Sequence, residues 1–519
     1  MPWTLSILIA LSSLTITKIE GARILAFFPT PSISHQVVFR HVTKELARRG
    51  HEVLAITTDP LPKGEVPANL TEVDVHDVSY KHWEELFLVH TGDRNNVQQQ
   101  IDMIFEKIAT TVNIQMETPA VQKALSNKPK KHFDLLLLEA MYRPLLGIGH
   151  MFDAPIVHIS SYGGIPQQYN IFGAPTHPLL YPTCLRQRSY NLTLWEKATE
   201  FLRYLALEYK TSSALELDYQ VMKKTFGNDI PNIEKIGKKI QLLLLNEHPI
   251  WASNRPIPPN IVFIGGIHQS EEKLLPNDLK SYLDSSKHGV IYVSFGTNVL
   301  PSLLPPEKIQ IMTKVFSQLP YDILWKWDKD VLPGKSNNTK IARWFPQSDL
   351  LKHPNVKLFI TQGGLQSTDE TINAAVPVIG IPMLGDQWYN VEKYVHHKIG
   401  LQLEISTLTE EAFLNAILTV INDKSFKNNI IRLRSLMREF PIKPLDKAIW
   451  SIEHIIEYGG DHLQSPARGL SLAEYYEINV VLMFVVMLLV ISLILGYILK
   501  LFLRFLYNIY ISHNKVKRC

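Results

Sequence analysis

Cysteine is almost absent from this chain: its 519 residues include two, Cys184 and the terminal Cys519. A disulfide framework is therefore not expected, and the fold must rest on buried apolar side chains. A surplus of one charge is also missing outside the tail. Residues 500–519 hold Lys500, Arg504, Lys515, Lys517 and Arg518 and no acid, and the other 48 basic and 49 acidic side chains leave the rest at a formal charge of −1. So balanced a body carries no electrostatic footprint for nucleic acid. His-Glu-x-x-His and Cys-x-x-Cys are missing, and no Asp-x-Asp spacing is read as a metal site, so no metal is expected. What the chain does have is 46% hydrophobic content, enough at this length for two ordinary domains with sizeable cores.

Two apolar runs lie outside those domains. Leu5–Leu14, followed by polar residues and the small pair Gly21-Ala22, reads as a secretory signal peptide over residues 1–21, although no Lys or Arg precedes it. Ile478–Leu499 is broken only by Asn479, Ser492 and Tyr497. At about 1.5 Å per residue it is long enough to cross a ~30 Å hydrocarbon core. Glu474 and Glu477 precede this span and the basic cluster follows it. The positive-inside bias therefore places residues 500–519 in the cytosol and the body in a lumen, with the two cysteines on opposite sides of the membrane. The sequons at Asn69, Asn191 and Asn337 fit a luminal body as glycosylation acceptors.

Between these runs the punctuation predicts two α/β halves. Arg23–Phe28 reads as a buried strand, followed by a Pro-rich turn, an amphipathic helix near 34–49 and a strand at Glu52–Thr57. Phe133–Leu138 and Pro155–Ser160 repeat the strand pattern. In the second half Gly289–Phe295, Asp322–Trp327, Val356–Ile360 and Val378–Pro382 are strand runs separated by helical stretches. Such alternation implies two doubly wound, Rossmann-like parallel sheets. The expected boundaries are an N-terminal domain 22–250, a linker 251–287, a C-terminal domain 288–460, a juxtamembrane segment 461–477, a transmembrane helix 478–499 and a basic tail 500–519.

The most informative stretch is Trp344–Asn390: a Trp-x-Pro-Gln turn, a strand, a Gly-Gly turn entering a helix that contains an acid, a second strand, and an Asp-Gln-x-x-Asn loop. Each part suits a piece of a nucleotide sugar. Gly363 and Gly364, between strand and helix, let backbone N–H groups and a positive helix end approach a diphosphate. Trp344 offers a flat face for a base and Gln347 a donor and acceptor for its edge. Glu370 offers acceptors for ribose hydroxyls, and Asp386 with Gln387 polar groups for a hexose. Taken in this order, the run closely resembles the donor-binding signature of the UDP-glycosyltransferases, the membrane-bound UDP-glucuronosyl- and UDP-glucosyltransferases that conjugate sugars to small lipophilic molecules. The chain departs from that pattern at Gln362, where the family usually has His, and at Ala375, where it usually has Gly. Gln362 can still donate to a phosphate oxygen but brings no charge.

The resemblance implies a GT-B type fold, with two domains facing a cleft, donor on the C-terminal half and acceptor on the N-terminal half. It also implies an inverting transfer from UDP-glucose or UDP-glucuronic acid, the former ranked first because invertebrate-type members commonly use it. The UDP-sugar is a co-substrate, and no cofactor is implied. In the first half, His35 stands in the first turn of the helix after the first strand, where an imidazole can take a proton from an acceptor hydroxyl at neutral pH. The family's catalytic aspartate aligns with Glu139, at the end of the strand begun by Asp134. By the same resemblance Thr297 and Arg255 are candidate phosphate contacts, with a turn hydroxyl and a solvated arginine as the plain alternatives.

Trp83, Phe87, Met103, Phe105, Met116, Tyr162, Tyr169, Phe172 and Tyr181 could line an apolar acceptor pocket or simply form core. Lys515 and Lys517 stand at the spacing of a dilysine retrieval signal, which points to the endoplasmic reticulum. A homo-oligomer is compatible with this reading. The rival reading is a catalytically weak or inactive membrane-tethered UDP-sugar-binding protein, for which Glu139 and Gln362 are the support.

Overall fold

The computed structural model describes residues 21–88, 92, 97–269, 272–438 and 442–516. The expected signal peptide, but for Gly21, lies outside the described residues, as do Lys517 and Cys519. The described chain divides into a body, up to Gln464, and a C-terminal unit, Ser465–Cys519.

Two all-parallel sheets organise the body. The first comprises β1 (Arg23–Phe28), β2 (Glu52–Thr57), β3 (Leu70–Asp74), β4 (Leu135–Glu139), β5 (Ile156–Ser160), β6 (Ile240–Leu245) and β7 (Ile261–Phe263). The second comprises β8 (Val290–Ser294), β9 (Asp322–Lys326), β10 (Thr339–Ala342), β11 (Val356–Thr361), β12 (Val378–Gly380) and β13 (Gly400–Gln402). Their orders are β3-β2-β1-β4-β5-β6-β7 and β10-β9-β8-β11-β12-β13. The central strands are buried on both faces, as parallel strands covered by helices must be, and so they read as continuous apolar runs.

The helix Ile33–Arg48 shows how sequence sets position. Val38, Phe39, Val42 and Leu46 fall on one face and are fully buried against the first sheet, with Phe39 stacked on Phe28 of β1 at 4.4 Å between ring centres. Each such side chain is worth roughly 1.5–3 kcal/mol by burial. Gln36, also buried, donates to the carbonyls of Phe28 and Thr30 at 3.1 and 2.9 Å and accepts from Thr57 Oγ1 at 2.8 Å. The turn that carries His35 is thereby tied to both β1 and β2.

The expected linker 251–287 is not a free joint. It contains β7, which belongs to the first sheet, and the helix Asn277–Ser285, whose Leu279 and Leu283 pack with Val290 and Tyr292 of the second. The expected C-terminal domain 288–460 also ends differently, since the helix Pro444–Tyr458 returns to the first half. Ala448, Ile449, Ile452 and Ile455 enter the core over β1, β2 and β6, and Arg49 pairs with Glu453 at 3.2 Å. An amphipathic helix docks wherever its apolar face finds a partner, and chain order does not constrain that choice.

Ala375, the position at which the family pattern has Gly, ends the helix Leu365–Ala374 in the left-handed region at φ 54° and ψ 42°. A Cβ there costs roughly 1–2 kcal/mol that glycine avoids. Ala375→Gly is therefore expected to stabilise the fold by about 1 kcal/mol despite the greater freedom of the unfolded glycine, read as a raised denaturation midpoint. A lowered midpoint would show that the methyl's packing outweighs its strain.

The C-terminal unit contains one helix, Ile478–Val516, long and apolar enough to cross a membrane. The helix does not stop at the expected 499: it runs on through Lys500 and Arg504, because nothing between 499 and 516 is a helix breaker.

Candidate active site

Two strand-end turns, one from each sheet, make the site, and each lies where strand order switches direction. In the first sheet the switch is between β1 and β4. His35 follows β1, Glu139 ends β4, and His35 Nδ1 lies 3.1 Å from Glu139 Oε1. Thr30, in the turn after β1, donates its hydroxyl to Glu139 Oε1 at 2.6 Å and its backbone N–H to Oε2 at 3.1 Å. Glu139 is 2% exposed and His35 16%, so the carboxylate is sealed while the ring keeps an open edge. A carboxylate only accepts, so Nδ1 carries the proton and Nε2 is left as the basic nitrogen. Tyr162 packs its ring edge on His35 at 5.7 Å, and the buried Tyr142 hydroxyl stands 3.1 Å from Thr30 Oγ1.

In the second sheet the switch is between β8 and β11, followed by Gly296-Thr297-Asn298 and Gln362-Gly363-Gly364 respectively. A cavity of about 380 Å³ brings together His35, Thr297, Trp344, Gln347, Gln362, Gly364, Glu370, Asp386 and Gln387. A larger one, of about 640 Å³, opens beside His248, Asp369 and Arg434 and holds none of the expected site residues. Trp344 is 61% exposed, an indole face available for stacking. Burial pushes the Glu370 carboxyl up to about 7, and Gln347 Nε2 donates to one of its oxygens at 2.7 Å. Burial likewise raises Asp386 to about 6, opposed by Asn390 Nδ2, which donates to it at 2.9 Å. Trp251 Nε1 donates to Asn390 Oδ1 at 2.9 Å, so a first-half side chain helps to hold the Asp386 loop.

Several expected contacts fall elsewhere. Arg255 is not solvated and does not line the cavity: it is 5% exposed, its guanidinium lies 3.8 Å from the Tyr169 ring centre, and it donates to the carbonyls of Tyr181 and Pro182. Nη2 thereby holds that loop, and its place outside the cavity lining removes Arg255 from the phosphate contacts. Gln347 is also committed internally, accepting from Tyr292 and donating to Ser367 and Glu370, so its side chain braces Glu370 instead of presenting a free edge to a base. Gly363 sits behind the cavity at φ 88°, where a Cβ would meet Val391 Cγ2 at 2.4 Å; Gly364 alone of the pair lines the site. Gln387 Oε1 accepts from the backbone of Met383 and Leu384, leaving its NH₂ as the free group.

Of the candidate acceptor residues, Trp83, Tyr169 and Phe172 are core, Met103 and Met116 pack on that core, and Phe105 packs with Ile101 and Trp388. Tyr162 lines the cavity and Tyr181 a separate one, while the Phe87 side chain lies outside the described residues. Asn69, Asn191 and Asn337 are exposed, and Cys184 is buried. Asp328 and Asp330 do form an Asp-x-Asp spacing. Asp328 accepts from Ser302, however, and Asp330 from Arg343.

Two parallel α/β sheets with a nucleotide-sized cavity at their switch points define a glycosyltransferase fold of the GT-B class. Solved structures agree. The glycosyltransferase of kitacinnamycin matches with a TM-score of 0.57 at 17% identity, covering 84% of this chain and 99% of that one. The calicheamicin glycosyltransferase CalG4 matches with a TM-score of 0.53 at 16% identity, covering 84% and 98%. The chain itself belongs to the UDP-glucoronosyl and UDP-glucosyl transferase family, whose model matches residues 23–515, and it is a glycosyltransferase. It is 32% identical to the ecdysteroid UDP-glucosyltransferase of Spodoptera littoralis nuclear polyhedrosis virus, over 92% of this chain and 96% of the relative. It is 30% identical to UDP-glucosyltransferase 2 of Dactylopius coccus, over 95% and 96%.

Proposed function

We propose that this glycosyltransferase transfers glucose from UDP-glucose, with inversion, to a hydroxyl of a small lipophilic acceptor. The observation that carries the proposal is the His35–Glu139 pair, with Nε2 free at the edge of the cavity that the donor signature lines. In this reading Nε2 takes the acceptor's proton and the oxygen attacks C1′ in line. The bond from C1′ to the β-phosphate oxygen breaks, and UDP leaves with the electron pair. Glu139 stabilises the imidazolium. The Gly364 N–H and the positive end of the helix Leu365–Ala374 hold the diphosphate, with Thr297 and Gln362 beside them. Trp344 stacks the base, Glu370 takes the ribose, and Asp386 with Gln387 takes the hexose. Glucose is chosen over glucuronic acid because the similar viral and insect proteins bear that name, and an ecdysteroid is the first acceptor to try because the viral ones are named for it. We place the body in the lumen of the endoplasmic reticulum, anchored by the helix Ile478–Val516, with the exposed sequon asparagines as glycan acceptors.

The test incubates microsomes carrying the full chain with UDP-glucose or UDP-glucuronic acid and either a simple phenol or an ecdysteroid, and measures UDP and conjugate. Acceptor-dependent UDP release with UDP-glucose, and a β-linked product, are expected. No acceptor-dependent release from either sugar would leave the binding-protein reading, and an α-linked product would reject inversion.

The donor assignments separate by ligand. Asp386→Ala is expected to weaken UDP-glucose about tenfold more than UDP, the worth of a lost hydrogen bond to a charged group. Trp344→Ala is expected to weaken both on the order of tenfold through lost stacking. Calorimetry with each ligand checks this; equal losses for Asp386→Ala would move its loop onto the nucleotide.

A further inference from the structure

The diphosphate is the part of the donor for which the site residues named so far offer no permanent positive charge, because Gln362 stands where the family pattern has His. A cation is nevertheless present. Lys326 ends β9, beside β8 in the sheet, and lines the same cavity as Thr297, Trp344 and Gln362. Its Nζ donates to the carbonyl of Gly296 at 2.5 Å and lies 4.9 Å from the centre of the Trp344 ring. Gly296 in turn packs against Gln362 so closely that a Cβ there would stand 2.0 Å from Gln362 Nε2. The ammonium thus occupies the space between the indole face and the loop expected at the diphosphate.

Among the described residues Lys326 makes no ion pair. Asp328 supports its charge from a distance, with a carboxylate that accepts from the Ser302 N–H at 3.0 Å and takes the Ser302 hydroxyl as well. Burial lowers the ammonium to about 8, so it stays mostly protonated at neutral pH while its solvation is incomplete. Of the other basic groups lining the cavity, His35 is paired with Glu139 on the first sheet, Lys273 is exposed, and His268 is pushed down to about 4 by burial, hence neutral. A half-buried cation with only a carbonyl and a ring face for partners is held at a cost that an arriving anion removes. A base stacking on Trp344 would also claim the ring face that Nζ now covers.

We propose that Lys326 is a donor-binding residue: when the UDP-sugar enters, its ammonium leaves the indole and pairs with the diphosphate, supplying the charge that Gln362 lacks. This rests on the UDP-sugar reading above. The same contact stabilises the negative charge that grows on the β-phosphate as the C1′–O bond breaks.

The test is calorimetric titration of the detergent-solubilised full chain with uridine and UDP, for the unsubstituted protein, K326M and K326R. K326M is expected to lose about 10- to 100-fold in UDP affinity, the size of one charge-assisted hydrogen bond, with uridine affinity kept. K326R is expected to recover most of the loss. K326Q serves with the same readout if K326M does not fold. Unchanged UDP affinity in K326M would overturn the proposal, and so would equal losses for uridine and UDP, which would reduce Lys326 to a support for Trp344. If the unsubstituted protein binds no UDP, the UDP-sugar reading fails together with this one; UDP binding indifferent to K326M defeats this one alone.

Discussion

His35→Ala is expected to lower kcat for sugar transfer by roughly 10²–10⁴-fold, the worth of a positioned general base, while UDP-glucose binding survives. The two effects separate because His35 stands on the first sheet, whereas Trp344, Glu370, Asp386 and the Gly364 turn belong to the second. Only proton removal is lost, and the cavity keeps its donor-side lining. Single-turnover rates with saturating UDP-glucose, beside calorimetry for the donor, check both halves. A rate above about a hundredth of the unsubstituted protein's would remove His35 from the base role. Lost donor affinity would instead make it part of the sugar site.

Glu139→Gln is expected to cost on the order of 10²-fold or more in kcat. The carboxylate now takes three donors: His35 Nδ1–H, the Thr30 hydroxyl and the Thr30 N–H. An amide offers one accepting oxygen, so its NH₂ must face one of these donors, and it neither holds the tautomer with Nε2 free nor stabilises imidazolium. Glu139→Asp is also expected to lose rate. Its arm is one methylene shorter, roughly 1.5 Å at full extension, and cannot reach both His35 and Thr30 from the end of β4. A rate increase with Asp would mean that the natural Glu is a detuned substitute. No change with Gln would separate Glu139 from His35 altogether. Thermal midpoints of both variants tell a lost contact from a lost fold.

The parts of the site that could be read in the sequence are those where local pattern and chemistry coincide. β1, β2, β8, β9, β11 and β12 are apolar runs bounded by Gly, Pro or polar residues, and each falls within two residues of its expected limits. β3, with Glu72 and Asp74 in an edge strand, and the three-residue β7 and β13 have too little apolar pattern to announce themselves. Thr30 carries no local signal, because a Thr between two prolines reads as a turn residue; its value appears only when β1 pairs with β4 and brings it to Glu139. Lys326 carries none either, because a lysine at a strand end is ordinarily solvated, and its contacts with Trp344 and Gly296 come from distant parts of the chain. Arg255, a phosphate candidate by resemblance and otherwise a solvated arginine, is neither, because only the tertiary packing against Tyr169 buries it.

The sequence by itself determined the two α/β halves, the candidate membrane helix and the order of the donor signature. Strand periodicity, turn chemistry and a long apolar run are local properties that need no partner to be recognised. Tertiary structure decided which groups meet. Neighbouring parallel strands place the ends of β1 and β4 together and the ends of β8 and β11 together, so His35 finds Glu139 and Gly296 finds Gln362 across long stretches of chain. It also decided that the helix Pro444–Tyr458 closes over the first sheet and that Gln347 braces Glu370. Burial and hydrogen-bond partnership are properties of the packed whole, and residue type at a given position does not contain them.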